Sequence, residues 1–362
     1  MKYALIGCGR IAINHLIAAK KNQLDIVAVC DIRLEKTQQL LEKAEIPVDS
    51  VEKYEDYHRM LEEHPEIELI SIATESGSHA QIAIDCMTAG HHVMVEKPIA
   101  MSLSDADRMI QVAEENKVKL CAIHQNRFNH AIQKLHGAVE EGRFGKLSHG
   151  TIHVRWNRNM DYYKQAPWRG TWAEDGGCLM NQCIHGIDLL RWLMGGEVKR
   201  ITGVTRQRFH DYLEAEDLGV AILEFSNGAI GMIEGTTNIF PRNLEETLFI
   251  FGEKGTVKIG GKSTTDICEW QFADQKEDDE ELLGFEEATS NVYGNGHARI
   301  FADMISAIQE DRKPYVDGHD GRNALEIVLA IYKSMKTGQA VDLPLKNFES
   351  VEMAGTFGSG SL

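Results

Sequence analysis

The sequence predicts two domains of different class. Residues 1–124 read as a doubly wound α/β domain on a parallel sheet. Residues 125–350 read as an α+β domain with a large open antiparallel sheet, and 351–362 as a flexible tail. Three observations carry this reading. Short, nearly continuous apolar runs alternate with amphipathic stretches up to residue 124, the texture of strands buried on both faces between helices. Beyond that point strand-like segments follow one another through tight turns. The chain of 362 residues also exceeds the roughly 250–300 residues that one core encloses.

In the first part the strand candidates are "KYALIG" (2–7), "DIVAVC" (25–30), "ELISIA" (68–73), "HVMVEK" (92–97) and "VKLCAI" (118–123). Helical patterns intervene near 11–22, 34–44, 55–63, 79–89 and 103–116, the last behind the capping sequence "SLSD". In the second part a helix near 130–141 precedes strands at 147–157, 197–207, 217–225, 229–237, 245–251 and 255–259. Asn227-Gly228 and "GEKG" (252–255) mark hairpins, and helices near 296–310 and 321–336 complete the domain. Between the first two strands lies "DGGCLMNQCIHGIDLLRWLMGG" (175–196), whose apolar residues recur at three- and four-residue steps, as in a helix. Asn181, His185 and Asp188 interrupt it and, at 100° per residue, fall within about 60° of one another.

Composition narrows the function. With 43% hydrophobic and 26% charged residues the chain is an ordinary globular one, and no apolar run reaches the length of a membrane span. The formal charge of −17 without a basic tract argues against nucleic acid. Seven scattered cysteines fit reduced thiols in a cytoplasm. Cys178, Cys183 and His185 do not read as a metal set, because an α-helix would put the two cysteines about 140° apart and no CxxC pair completes a site.

"LIGCGRIAINH" carries Gly7-x-Gly9-x-x-Ala12 between the first strand and first helix. Gly7 allows the tight turn, Gly9 lets backbone approach a pyrophosphate, and the helix N-terminus offers amides to it. Asp31 ends the second strand, where a carboxylate accepts from ribose hydroxyls and repels a 2′-phosphate. This favours NAD over NADP, although Arg33 stands close by. "VEKP" (95–98) ends a further strand, so Glu96 and Lys97 are expected at the cofactor end of the sheet.

Together these pieces resemble the glucose–fructose oxidoreductase/inositol dehydrogenase (Gfo/Idh/MocA) family, over nearly the whole chain to about residue 345. "IATESGSHA" (72–80) and "HQNRFN" (124–129) are similar to its further motifs. "LMNQCIHGIDLL", "WRGTW" and "GTTN" look closest to the branch that oxidises the 3-hydroxyl of sugars. The resemblance implies a Rossmann domain whose cofactor residues include Gly7, Gly9, Arg10, Ile11, Asp31, Arg33, Thr74, Ser76, His79, Glu96, Lys97 and Gln125. It implies Lys97 and His185 as catalytic groups, with Asn181 at the family's usual aspartate position.

Alcohol oxidation needs a base for the hydroxyl proton and a cation for the developing oxyanion. His185 and Lys97 suit these roles, in either assignment, and Asn181 orients by hydrogen bonds. Asp188 reads equally as a partner of His185 or as a contact between helices. Arg127, Arg155, Tyr163, Trp168 and Arg169 are the further substrate candidates. Arginine forks among aromatic faces, with Arg158 beside them, point to an anionic sugar such as a nucleotide-linked uronate.

A cyclitol substrate of the same family is the alternative, and a non-catalytic NAD-binding regulator is one of another class. Tyr332 and Lys336 have the spacing of a short-chain dehydrogenase pair but sit in the final helix, far from the nucleotide motif. An open sheet with one uncovered face, as in the family's dimers and tetramers, predicts a homo-oligomer.

Overall fold

A computed structural model describes residues 1–261, 263–287 and 295–357. The chain divides into two units, one of residues 1–124 with 297–322 and one of 125–296 with 323–362.

The first unit holds strands β1 (Lys2–Ile6), β2 (Asp25–Cys30), β3 (Glu52–Tyr54), β4 (Leu69–Ile72), β5 (His92–Val95) and β6 (Leu120–Ala122). They form a wholly parallel sheet in the order β3-β2-β1-β4-β5-β6. Residues 4–6, 70–72 and 93–95 are buried throughout, as the apolar runs require. The crossover helices are α1 (Ala12–Lys21), α2 (Leu34–Lys43), α3 (Tyr57–Glu63), α4 (His79–Thr88) and α5 (Leu103–Glu115). The order reverses between β1 and β4, and a doubly wound sheet takes its ligands beyond the strand ends at such a point. Ser102 caps α5, its hydroxyl accepting from the Asp105 amide at 3.1 Å.

The second unit begins with α6 (His130–Glu140), β7 (Leu147–Arg155), α7 (Met160–Tyr163) and α8 (Ile184–Leu193). β8 (Val198–Arg206), β9 (Leu218–Phe225), β10 (Ile230–Thr236), β11 (Glu245–Gly252), β12 (Gly255–Gly260), β13 (Asp266–Phe272) and the short helix α9 (Asp279–Leu282) follow. α10 (Gly296–Gln309), α11 (Gly318–Thr337) and β14 (Val341–Asp342) end the chain's regular structure. The eight strands run β13-β12-β11-β7-β10-β9-β8-β14. Both expected hairpins form, β9–β10 around Asn227-Gly228 and β11–β12 around 252–255.

Three features differ from the expectation. The sheet is mixed, because β7 and β10 pair in parallel over seven residues. The intervening chain, about 75 residues long, carries α7, α8 and the β8–β9 pair, room enough to return β10 in the direction of β7. Residues 297–322 belong with the first unit rather than the second. The reason is packing: Phe301 of α10 lies 5.9 Å, ring to ring, from Tyr3 of β1 and 5.7 Å from His15 of α1. The expected tail does not start at 351, since 350–353 form a 3-10 turn and the Ser350 hydroxyl donates to the Trp172 carbonyl at 2.7 Å. Its last residues, 358–362, lie outside the described residues.

One face of the mixed sheet carries α8. A Cβ on Gly186 of α8 would stand 2.6 Å from Ile152 of β7, so only glycine permits that approach. The other face exposes Val204, Val220, Ile222, Ile230 and Met232. Among the described residues no helix is long and apolar enough to cross a membrane.

Candidate active site

In the first unit the candidate residues gather at the carboxyl ends of β1, β2, β4 and β5. Gly7 has φ +93°, and a Cβ there would lie 2.5 Å from the Ala73 carbonyl carbon. A Cβ on Gly9 would meet nothing closer than 3.8 Å, so the turn keeps open space above it. Arg10 is exposed and Ile11 half-buried at the start of α1. Asp31 accepts from the Cys8 amide at 2.9 Å and the Arg33 amide at 3.0 Å, with Lys36 at 3.8 Å. The carboxylate is thereby fixed beside the glycine turn, while the Arg33 side chain is exposed. Turn, helix N-terminus and carboxylate together fit an adenine dinucleotide.

Thr74 and Lys97 are half-buried and Ser76 is buried. Two other candidates face inward. His79 is buried, its Nδ1 bonded to the Pro98 carbonyl at 2.8 Å, so it braces the turn after β5. Burial holds this imidazole below its ordinary value. Glu96, also expected on the cofactor, is 5% exposed and turned into the unit. Its Oε1 meets His15 Nε2 at 2.9 Å and lies 3.5 Å from His297 Nε2. Its Oε2 accepts from the Lys97 amide at 3.3 Å. Burial raises the Glu96 carboxyl, but the two imidazoles outweigh it and hold the group well below the usual carboxylate range. Burial also pushes His15 down, so the pair is a carboxylate receiving an imidazole N–H. The sequence signal for His15 was a polar residue on the apolar face of α1, between Ala12 and Leu16.

In the second unit Asn181 and His185 stand on one continuous stretch, though not on a regular α-helix. Residues 179–183 form a π turn and α8 starts at 184. The wider turn brings residues five apart together, so the Cys178 and Cys183 sulfurs lie 3.6 Å apart rather than on different sides. The π turn changes the residue spacing on which the angular stripe of Asn181, His185 and Asp188 was reckoned. The Asn181 side chain donates to Asp175, accepts from Gln182, and is half-exposed. Asp175 also takes the Gly170 amide at 2.7 Å. A carboxylate thus stands beside the asparagine, which sequence spacing did not reveal.

His185 is 8% exposed, and Gln125 Nε2 approaches its Nε2 at 3.4 Å. The donor or acceptor role of Nε2 in this contact follows from the imidazole's tautomer. Gln125, expected on the cofactor, is buried in this contact.

Two substrate candidates are engaged elsewhere. Arg127 is buried, its Nε 2.7 Å and Nη2 2.6 Å from the two oxygens of Asp188. This bidentate pair decides the role of Asp188, which fastens residues 125–128 to α8. Arg155 ends β7, in contact with Glu234 of β10 at 2.5 Å and Glu245 of β11 at 2.7 Å. Strand alternation puts it on the face away from α8, since Ile152 and Val154 meet Gly186 on the near face. Tyr163 is buried with its hydroxyl 3.5 Å from Thr237, and burial pushes its phenol up. Trp168 and Arg169 are half-buried.

The stretch is anchored from below. Glu216 Oε1 accepts from the Leu179 amide at 2.8 Å and the Tyr332 hydroxyl at 2.9 Å. Burial raises the Glu216 carboxyl to about 8. Tyr332 is thereby a structural donor in α11, while Lys336 reaches the Glu352 carbonyl. The adjacent Asp217 takes the amides of Arg208, Phe209 and His210, and these bonds with His210 and Asn238 hold it at about 2 against its burial.

A dinucleotide site at the ends of a parallel sheet, with a lysine on the next strand end, defines an NAD-dependent oxidoreductase. Comparison with known proteins places it further. The NAD-binding Rossmann domain of the oxidoreductase family matches residues 1–124, and the Gfo/Idh/MocA C-terminal domain matches 132–258. The chain belongs to this family. It is 36% identical to the WlbA dehydrogenase from Bordetella pertussis, solved with NADH and UDP-GlcNAcA, covering 95% of this chain and 99% of that one at a TM-score of 0.85. The WlbA dehydrogenase from Chromobacterium violaceum, solved with the same ligands, is 34% identical over 96% and 97% at 0.86. The myo-inositol 2-dehydrogenase of Thermotoga maritima is 27% identical over 354 residues, 95% of this chain and 98% of that protein.

Proposed function

We propose that the protein oxidises the 3-hydroxyl of a nucleotide-linked sugar acid of the UDP-GlcNAcA type to a ketone, using NAD. The supporting observation is the 36% identity over nearly the full length of a WlbA dehydrogenase bound to NADH and UDP-GlcNAcA. With it go Lys97 after β5, and His185 with Asn181 on the π turn and α8. The cyclitol reading rests on the lower identity of 27%.

Gly7, Gly9 and Asp31 would hold the dinucleotide, which when bound supplies the acceptor for the carbon-bound hydrogen, taken as hydride. His185 takes the hydroxyl proton, a role worth about 10²–10⁴-fold in rate. The Lys97 ammonium stabilises the oxygen as its negative charge develops. Asn181 cannot take a proton, so it orients substrate, itself fixed by Asp175 and Gln182. Glu96 and His79 hold the backbone on either side of Lys97.

Homo-oligomerisation through the apolar sheet face at Val204, Val220, Ile222, Ile230 and Met232 belongs to the same reading. A cytoplasmic setting does too, since all seven cysteines are free thiols. The test is NADH absorbance in a screen of UDP-sugars, uronates, inositols and glycosides, each with NAD and NADP. UDP-GlcNAcA with NAD is expected to give the highest kcat/KM, and a preference for an inositol would overturn the proposal.

A further inference from the structure

The arginines near the aromatic segments fall into two pairs. Arg127 and Arg155 meet carboxylates, as described. Arg158 and Arg169 do not: among the described residues neither forms an ion pair. Arg158 Nη1 donates to the Asn157 carbonyl at 2.7 Å and Asn243 Oδ1 at 3.0 Å. Arg169 Nη1 donates to the Tyr162 hydroxyl at 2.8 Å. The Nε of each is buried with no hydrogen-bond partner.

Both guanidinium carbons share one ring, lying 5.1 Å and 4.5 Å from the centre of Tyr162. Trp156 lies 4.8 Å from Arg158, and Trp168 4.4 Å from Arg169. The same Tyr162 hydroxyl accepts from Gln182 at 2.9 Å, and Gln182 donates to Asn181. Two half-buried cations are thus collected around one tyrosine that is bonded to the segment carrying Asn181 and His185. This happens in a chain with 55 acidic residues against 38 basic ones, where a carboxylate partner is easy to come by.

Ring faces attract a cation but leave its charge uncompensated, and a guanidinium fork fits the oxygens of a carboxylate or phosphate. Arginine held flat on an aromatic ring also loses less freedom on binding than a flexible lysine. We propose that Arg158 and Arg169, steadied by Tyr162, form the subsite that reads the anionic part of the substrate, its carboxylate or its diphosphate. The assignment rests on the sugar-acid reading above and adds the residues that select for charge. Loss of either fork is expected to weaken binding of the anion by roughly 10- to 100-fold.

The test titrates NADH-loaded wild type, Arg158→Gln, Arg169→Gln and Arg169→Lys with UDP-GlcNAcA, with UDP-GlcNAc lacking the carboxylate, and with free GlcNAcA lacking the diphosphate. Oxidation of each by the same proteins supplied with NAD is followed in parallel. Both glutamine variants should bind UDP-GlcNAcA roughly 10- to 100-fold more weakly. Arg169→Lys should recover only part of the loss, with NADH affinity and melting temperature kept in all. A penalty that persists with UDP-GlcNAc and vanishes with free GlcNAcA assigns the diphosphate; the reverse assigns the carboxylate.

Wild-type affinity in both glutamine variants would overturn the subsite, as would a NADH-loaded wild type that binds none of the three. If a glutamine variant loses its melting transition, Arg169→Lys decides: unchanged affinity there overturns the proposal. Binding with the arginine penalty but without oxidation would sink the proposed reaction and leave the subsite standing.

Discussion

The two units fix their polar groups by different means. In the first, Asp31 and Lys97 take their places from backbone, because a parallel strand ends, a turn follows, and the sheet order brings neighbouring ends together. Carboxylates then steady these turns: Asp31 takes the Cys8 amide, and Glu96 takes the Lys97 amide and meets His15. In the second, the stretch carrying Asn181 and His185 is held through buried carboxylates: Asp188 to Arg127, and Glu216 to Leu179 and Tyr332. A strand-end address tolerates the loss of one such bond; a helix hung on buried carboxylates does not.

The largest effect is therefore expected at Arg127. Arg127→Leu leaves Asp188 buried without its cation and should cost about 3–5 kcal/mol in urea unfolding. The double variant Arg127→Leu/Asp188→Leu should recover most of that loss. A single variant within about 0.5 kcal/mol of wild type would contradict the anchoring role, being no more than a surface substitution costs.

Glu216 gives a pH signature peculiar to the second unit. Its folded value, about 8, is raised above the ordinary 4.5, so between these limits the folded chain binds more protons than the unfolded one. Stability contributed by the neutral acid is full below 4.5 and declines as pH rises towards 8. Wild type should thus lose stability relative to Glu216→Gln, by on the order of a few kcal/mol, across that window. A pH-independent difference would exclude the neutral acid. Glu216→Gln keeps an acceptor for Leu179 and Tyr332, whereas Glu216→Ala should also raise the substrate KM.

The smallest effect is expected in the first unit. Glu96→Gln keeps part of the hydrogen bonding and should cost about 1–3 kcal/mol, with the NADH dissociation constant little changed. A loss as large as that at Arg127, read in the same unfolding experiment, would erase the contrast between the units.

That contrast also explains what was legible in the sequence. The Rossmann turn at Gly7 and Gly9, the acceptor Asp31, and the strand-end position of Lys97 follow from spacing within short segments. The parallel β7–β10 pair could not be read, since direction depends on the path of about 75 intervening residues. The π turn was hidden because its apolar residues satisfy the α-helical period as well. Arg127 and Arg155 looked like Arg158 and Arg169 in sequence, and only packing separates arginines held by carboxylates from those held by rings. Residues 297–322 followed the second domain along the chain, whereas Tyr3 and His15 of the first receive Phe301.

The proposed roles of Lys97 and His185 are tested most directly by stopped-flow NADH formation in Lys97→Met and His185→Asn, with UDP-GlcNAcA at saturation and NADH binding titrated beside it. Each variant is predicted to bind NADH and to lose about 10²–10⁴-fold in the rate of hydride transfer. Wild-type rates in both variants would contradict them.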